Sequence, residues 1–169
     1  MKYVRTLGLA ATMVLGTVTI AGAQTPTLLE QFSRWSTYTY TNGEEKVCYA
    51  ITQPTKSEPA GVKRDPVYLF ITNRPKQSVQ REVSVETGYP YKEGSVTEAK
   101  VGSDTFTLFT KEQSAWVQNS ADESRLIAAM RAGSDMVVTG TSRRGTVTVD
   151  TYSLSGVTAA INRIDAECK

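Results

Sequence analysis

The chain has 169 residues, of which 40% are apolar, 21% charged and 8% aromatic, a length that suits one domain and is too short to expect two. Its apolar runs stop short of the ~20 residues a membrane-spanning helix needs, and no collagen-like, heptad or low-complexity bias is present, so spanning, fibrous and disordered classes are excluded. It contains no histidine, which removes Ser-His-Asp and Cys-His catalysis, histidine metal sites and an imidazole pH switch.

Residues 1–23 read as a cleaved export signal. Lys2 and Arg5 supply a positive start, residues 7–20 an apolar segment too short to anchor, and Ala21-Gly22-Ala23 an A-x-A cleavage site. Cleavage would leave Gln24 as the new N-terminus and equal numbers of acidic and basic residues. A neutral chain with no basic stripe is not expected to bind nucleic acid, which draws much of its affinity from neutralised phosphates. Lys63-Arg64 and Arg143-Arg144 read first as solvated turn residues. The expected address is therefore the periplasm, the outer-membrane surface or the medium, with no membrane span in the mature chain.

Residues 24–32 read as a polar lead-in. Residues 35–40 and 46–53 flank Thr41-Asn42-Gly43, and an Asn-Gly pair between β-prone runs predicts a hairpin. Val67-Tyr68-Leu69-Phe70-Ile71 is a continuous apolar run that suits a central strand buried on both sides. In residues 79–85 the valines at 79, 83 and 85 alternate with Gln80, Glu82 and Ser84, which predicts a half-buried strand. Gly102-Ser103 separates two further strands, with Phe106 and Leu108 on one face, and residues 136–142 and 146–154 form a third hairpin around Arg143-Arg144-Gly145. Ser120-Ala121-Asp122-Glu123 fits a capping box opening a helix through Leu126, Ile127 and Met130 that stops at Gly133. Val157, Ala160, Ile161, Ile164 and Cys168 share one helical stripe. These elements predict a mainly β fold, a single-domain antiparallel β-sandwich with two short helices, one at the C-terminus.

Cys48 and Cys168 would enter an oxidising compartment together, and a disulfide between them is expected. If the last helix lies on a sheet containing Cys48, the bond ties that helix to an early strand. Free thiols are the alternative. They would lack both a histidine base and CxxC spacing, so neither redox exchange nor zinc is expected of them.

Five stretches taken together resemble the invasion-associated locus B family of exported bacterial proteins. The first three are Cys48-Tyr49-Ala50, Pro66 through Pro75 (PVYLFITNRP), and Glu82-Val83-Ser84-Val85 with Gly88-Tyr89-Pro90-Tyr91. The later two are Ala115-Trp116 with Met130-Arg131-Ala132-Gly133, and Ser142-Arg143-Arg144-Gly145-Thr146 followed by Asp150 through Gly156 (DTYSLSG) and a terminal helix ending in Cys. The resemblance runs from about residue 33 to 168 and makes residues 33–169 the domain. It implies a small, β-rich, secreted or periplasmic protein. It implies a link to host-cell entry, known as red-cell parasitism in one pathogenic genus, and no defining enzymatic activity or catalytic residues.

The candidate contact residues are Tyr89 and Tyr91 on a Gly/Pro-bounded loop, Arg74 after a strand, and Arg143 and Arg144 at a hairpin tip. Each has a plainer reading: the tyrosines cap the end of the core, and an arginine pairs with Asp150 or Glu82 inside the fold. Trp35 and Trp116 read as core residues rather than sugar platforms. Glu82, Glu86, Glu93, Asp104 and Asp150 are the carboxylates from which a glycosidase-type pair would have to be drawn. No catalytic residue, cofactor or metal site is expected. The reading is a non-enzymatic binding factor whose partner is an envelope or host-surface protein or glycan. An envelope-stress or structural accessory protein, or an unrecognised hydrolase, are the alternatives.

Overall fold

The structure is a computed structural model that describes residues 25–169; the export signal assigned to residues 1–23 lies outside them. In chain order the elements are β1 (Thr27–Phe32), β2 (Trp35–Asn42), β3 (Glu45–Thr52), β4 (Lys56–Glu58), β5 (Tyr68–Arg74), β6 (Val79–Glu86), β7 (Val96–Val101), β8 (Asp104–Lys111), β9 (Ser114–Val117), α1 (Ser120–Ala132), β10 (Asp135–Thr141), β11 (Val147–Ser153) and α2 (Val157–Glu167). The strands form one antiparallel sheet in the order β1-β2-β3-β5-β6-β9-β8-β7-β10-β11-β4. This sheet folds over itself as a sandwich does. The Trp35 indole at the start of β2 donates to the Ser153 carbonyl at the end of β11, 3.1 Å away, and one core cluster takes side chains from both halves.

The expected hairpins form where the turn residues allow. Asn42 pairs with Glu45, so the bend falls on Gly43-Glu44 with Gly43 at φ +61°, one residue later than an Asn-Gly turn. Gly102-Ser103 joins β7 to β8 as expected, with Phe106 and Leu108 buried on the inner face. Two expectations change. Residues 27–32 are an edge strand rather than a lead-in, because β1 pairs with β2 across a bulge between Leu28 and Glu30. In β5 the run is not buried on both sides: Leu69 and Ile71 are fully buried, while Tyr68 and Phe70 stay half-buried on the opposite face.

Both helices turn their apolar side chains into the core, Leu126, Ile127 and Met130 from α1 and Val157, Ala160, Ile161 and Ile164 from α2. The α1 cap is Asn119, one residue before the expected box, and its side chain accepts from the Asp122 amide at 2.9 Å. Glu123 does not reach back to that cap. Its Oε1 accepts from the Val83 amide at 2.6 Å and moors the helix to β6. Asn119→Ala is expected to cost about 1 kcal/mol, read as a lower urea midpoint with unchanged slope.

Gly156 sets the entry to α2. It adopts φ +92°, and a Cβ there would lie 2.2 Å from the Phe32 carbonyl oxygen, so only glycine lets the helix start against β1. At its other end α2 delivers Cys168 to Cys48 on β3, and the two are joined by a disulfide across 120 residues. Lys46 donates from Nζ to the Glu167 carbonyl at 2.9 Å beside it.

Candidate functional site

Register places side chains from distant parts of the chain in a single row on the outer face of the sheet. Val96 pairs with Phe109, Phe109 with Trp116, Trp116 with Ser84, Ser84 with Phe70, Phe70 with Ile51, and Ile51 with Ser36. Directly opposed residues share a face, so these seven project outward from β7, β8, β9, β6, β5, β3 and β2. The rings pack laterally: Phe109 and Trp116 stack with centroids 5.5 Å apart, and Tyr68 lies 5.8 Å from Phe70. Tyr49 joins the row 6.0 Å from Phe70 and stacks on Tyr38 at 5.4 Å, with Tyr40 edge-on at 6.2 Å. Burial, together with the neighbouring Tyr38 and Tyr40, pushes the Tyr49 hydroxyl pKa up. Val96 and Phe109 are the barest members, 59% and 45% exposed.

Three surface depressions follow this band. One of about 740 Å³ lies by Tyr38, Tyr49 and Tyr68, a second by Tyr40 and Phe70, and a third by Phe109 and Trp116. Trp35 is fully buried, as expected of a core residue. Trp116 instead stands half-buried on the outer face. Neither it nor the tyrosines on β2 and β3 carry a sequence signal that separates an outer from an inner face, since strand alternation is symmetric until one side is covered.

The structure turns the rings of Tyr89 and Tyr91 into the core, with Tyr91 still bordering a surface depression shared with Arg143. They are 9% and 5% exposed, packed edge-to-face at 5.6 Å, and the Tyr89 hydroxyl is bonded to the Thr148 hydroxyl at 2.6 Å. Gly140 on β10 makes room for them. A Cβ there would stand 2.8 Å from Tyr91 Cε1 and 3.1 Å from the Tyr89 hydroxyl.

Burial pushes the Tyr91 hydroxyl up to about 12, and desolvation raises Tyr89 and Tyr152 as well. A raised folded-state pKa means the neutral phenol is the form the fold favours. That stability is complete below the unfolded value near 10 and is lost as pH rises through 12, about 2–3 kcal/mol for Tyr91. Unfolding free energy is therefore expected to fall between pH 10 and 12, with a shallower fall in Tyr91→Phe, measured by urea titration at each pH.

The arginines separate. Arg74 pairs with Glu82 at 2.8 Å, whereas Arg143 and Arg144 are exposed at the β10–β11 tip. Asp150 pairs with none of the three. Its carboxylate, 1% exposed, takes both guanidinium nitrogens of Arg64, with Nη1 at 2.9 Å from Oδ2, and accepts from the Ser57 hydroxyl at 2.6 Å. Arg64, expected in a solvated turn, is 9% exposed, and the hydrogen bond to Asp150 raises its pKa further. Glu82 and Glu86 share a face of β6 with their backbones roughly 13 Å apart along the strand. No group of three or more Cys, Asp or Glu side chains able to hold a metal exists among the described residues.

A model of the invasion associated locus B protein family matches residues 35–165. The chain belongs to that family. The crystal structure of invasion associated protein B from Bartonella henselae superposes with a TM-score of 0.56 at 16% identity, covering 83% of this chain and 97% of that one. At that identity the likeness establishes a shared fold. No curated protein matches the chain. The outer band spans β2 to β9 inside the family-matched segment, and Phe109, Trp116, Phe70 and Tyr49 all lie within it. No helix among the described residues of this invasion associated locus B protein is long and apolar enough to cross a membrane.

Proposed function

We propose that the protein is an exported, non-enzymatic binding factor of the cell envelope or cell surface, of the kind linked to host-cell entry in this family, and that it meets its partner through the outer aromatic band. The observation that carries the reading is the cross-strand row itself. Both helices fill the inner face, while the rings from Phe109 through Trp116 and Phe70 to Tyr49 and Tyr38 are left without a covering layer among the described residues. Contiguous exposed apolar surface of this sort marks interaction sites in soluble proteins, and aromatic side chains dominate binding energy at such contacts. The disulfide supports export, because such bonds persist in oxidising compartments.

The test pairs fractionation with surface substitution. With the full leader present, the protein is expected in the periplasmic or secreted fraction with both thiols blocked to alkylation. Phe109→Asp and Val96→Asp remove cross-strand contacts as well as exposed apolar surface, so each should cost about 1–2 kcal/mol of stability and leave the protein folded, while reducing retention on envelope or host-cell surfaces at least tenfold. Retention unchanged by both variants overturns the band as the contact face. A deletion strain with a weakened envelope and normal host-cell adherence would instead favour the accessory-protein reading.

A further inference from the structure

The 740 Å³ depression at one end of the band differs in chemistry from the rest of it. It is lined by Tyr38, Tyr49 and Tyr68 together with the polar Gln31, Gln53 and Ser36. Arg34, in the bend between β1 and β2, also lines it and is exposed. No carboxylate is among its lining residues, and Arg34 takes part in no ion pair among the described residues.

Aromatic rings beside neutral amide and hydroxyl groups complement a molecule with apolar C–H faces and many hydroxyls. A guanidinium with no compensating carboxylate complements one acidic group, which it can hold bidentately. A depression of this volume accommodates two or three ring-sized units by the usual range of ligand sites. Resting on the binding-factor reading above, we propose that this depression is a subsite for an acidic saccharide, its sugar rings against Tyr38, Tyr49 and Tyr68 and its carboxylate on Arg34.

The pyranose faces displace water from the tyrosines. Gln31, Gln53 and Ser36 take hydroxyls, and Arg34 selects charge. Because Arg34 is solvent-exposed, its contribution is screened by salt, so the preference for an acidic over a neutral sugar falls as ionic strength rises.

The decisive experiment titrates the disulfide-bonded mature protein by calorimetry with an oligogalacturonate trimer, a sialylated trisaccharide and a neutral trisaccharide, at low and high salt. At least one of the two acidic sugars is expected to bind tenfold or more tighter than the neutral one at low salt. Arg34→Ala should abolish that preference, and Gln53→Ala should weaken both sugars about threefold to tenfold. Both side chains are exposed, so an unchanged melting temperature certifies the fold of each variant. Tyr68→Ser supplies a third, aromatic test. Two results overturn the proposal: no binding of any of the three sugars by the wild type, or binding indifferent to Arg34→Ala. If these occur while Phe109→Asp still lowers surface retention, the wider binding reading stands without the saccharide. If retention is also unaffected, both fall.

Discussion

Replacing Cys48 and Cys168 together by alanine is expected to lower the melting temperature by roughly 10–15 °C, corresponding to about 3–5 kcal/mol. The bond spans 120 residues, and chain-entropy arguments assign loops of ~100 residues about 4.7 kcal/mol, most of it by restricting the unfolded chain. Its position adds a local effect. Cys168 follows the last turn of α2, whose Val157, Ala160, Ile161 and Ile164 are buried, so without the bond that helix is held to the sheet by packing, by Lys46 of β3 on Glu167, and by Asn73 of β5 and Arg81 of β6 on Asp165. Hydrogen exchange should therefore show α2 opening below the global unfolding free energy in the double variant and with it in the parent. A melting temperature within 3 °C of the parent would mean that the unfolded chain is already compact enough to gain little from the cross-link.

The second large effect is expected at Asp150. Asp150→Asn should cost about 3–5 kcal/mol because it strips the carboxylate from a guanidinium that is only 9% exposed. Arg64→Met should cost a similar amount by leaving Asp150 charged in a nearly dry site, with only the Ser57 hydroxyl bonded to it. The double variant Arg64→Met with Asp150→Leu is expected to recover most of either loss, since neither charge is left unpaired. Urea titrations of the four proteins give the coupling directly. A double variant as unstable as the sum of the singles would show that the pair contributes packing rather than charge compensation.

The pair also shows where reading along the chain stops. Arg64 sits beside Lys63 in a segment that resembles a solvated turn, yet residues 53–67 carry β4 across the molecule to the far edge of the sheet, where β4 pairs with β11. That crossover brings Arg64 to Asp150, 86 positions away, and no local pattern encodes it. Tyr89 and Tyr91 are a similar case. Their Gly/Pro surroundings fit a surface loop, and only the bare backbone at Gly140 shows that the rings turn inward. Where local rules act, the match is close: the α2 stripe from Val157 to Ile164 and the buried Val83 and Val85 of β6 fall on the residues their periodicities select.

The amino-acid sequence by itself determined that this is a mainly β domain with a helix closing its C-terminus, three of its hairpins, which family the chain resembles, and that two cysteines suit a disulfide. Apart from the family resemblance, which rests on five stretches spread along the chain, these are properties of short-range periodicity, turn residues and composition, and each is carried by residues close together in sequence or by a simple count. The tertiary structure alone decided which face of each strand is covered. A strand's two faces are equivalent until something packs on one, and here the helices cover the face of Leu69 and Ile71. That choice leaves Phe70, Tyr49, Trp116 and Phe109 uncovered, and the pairing of five strands, in the order β3-β5-β6-β9-β8, assembles them into one surface.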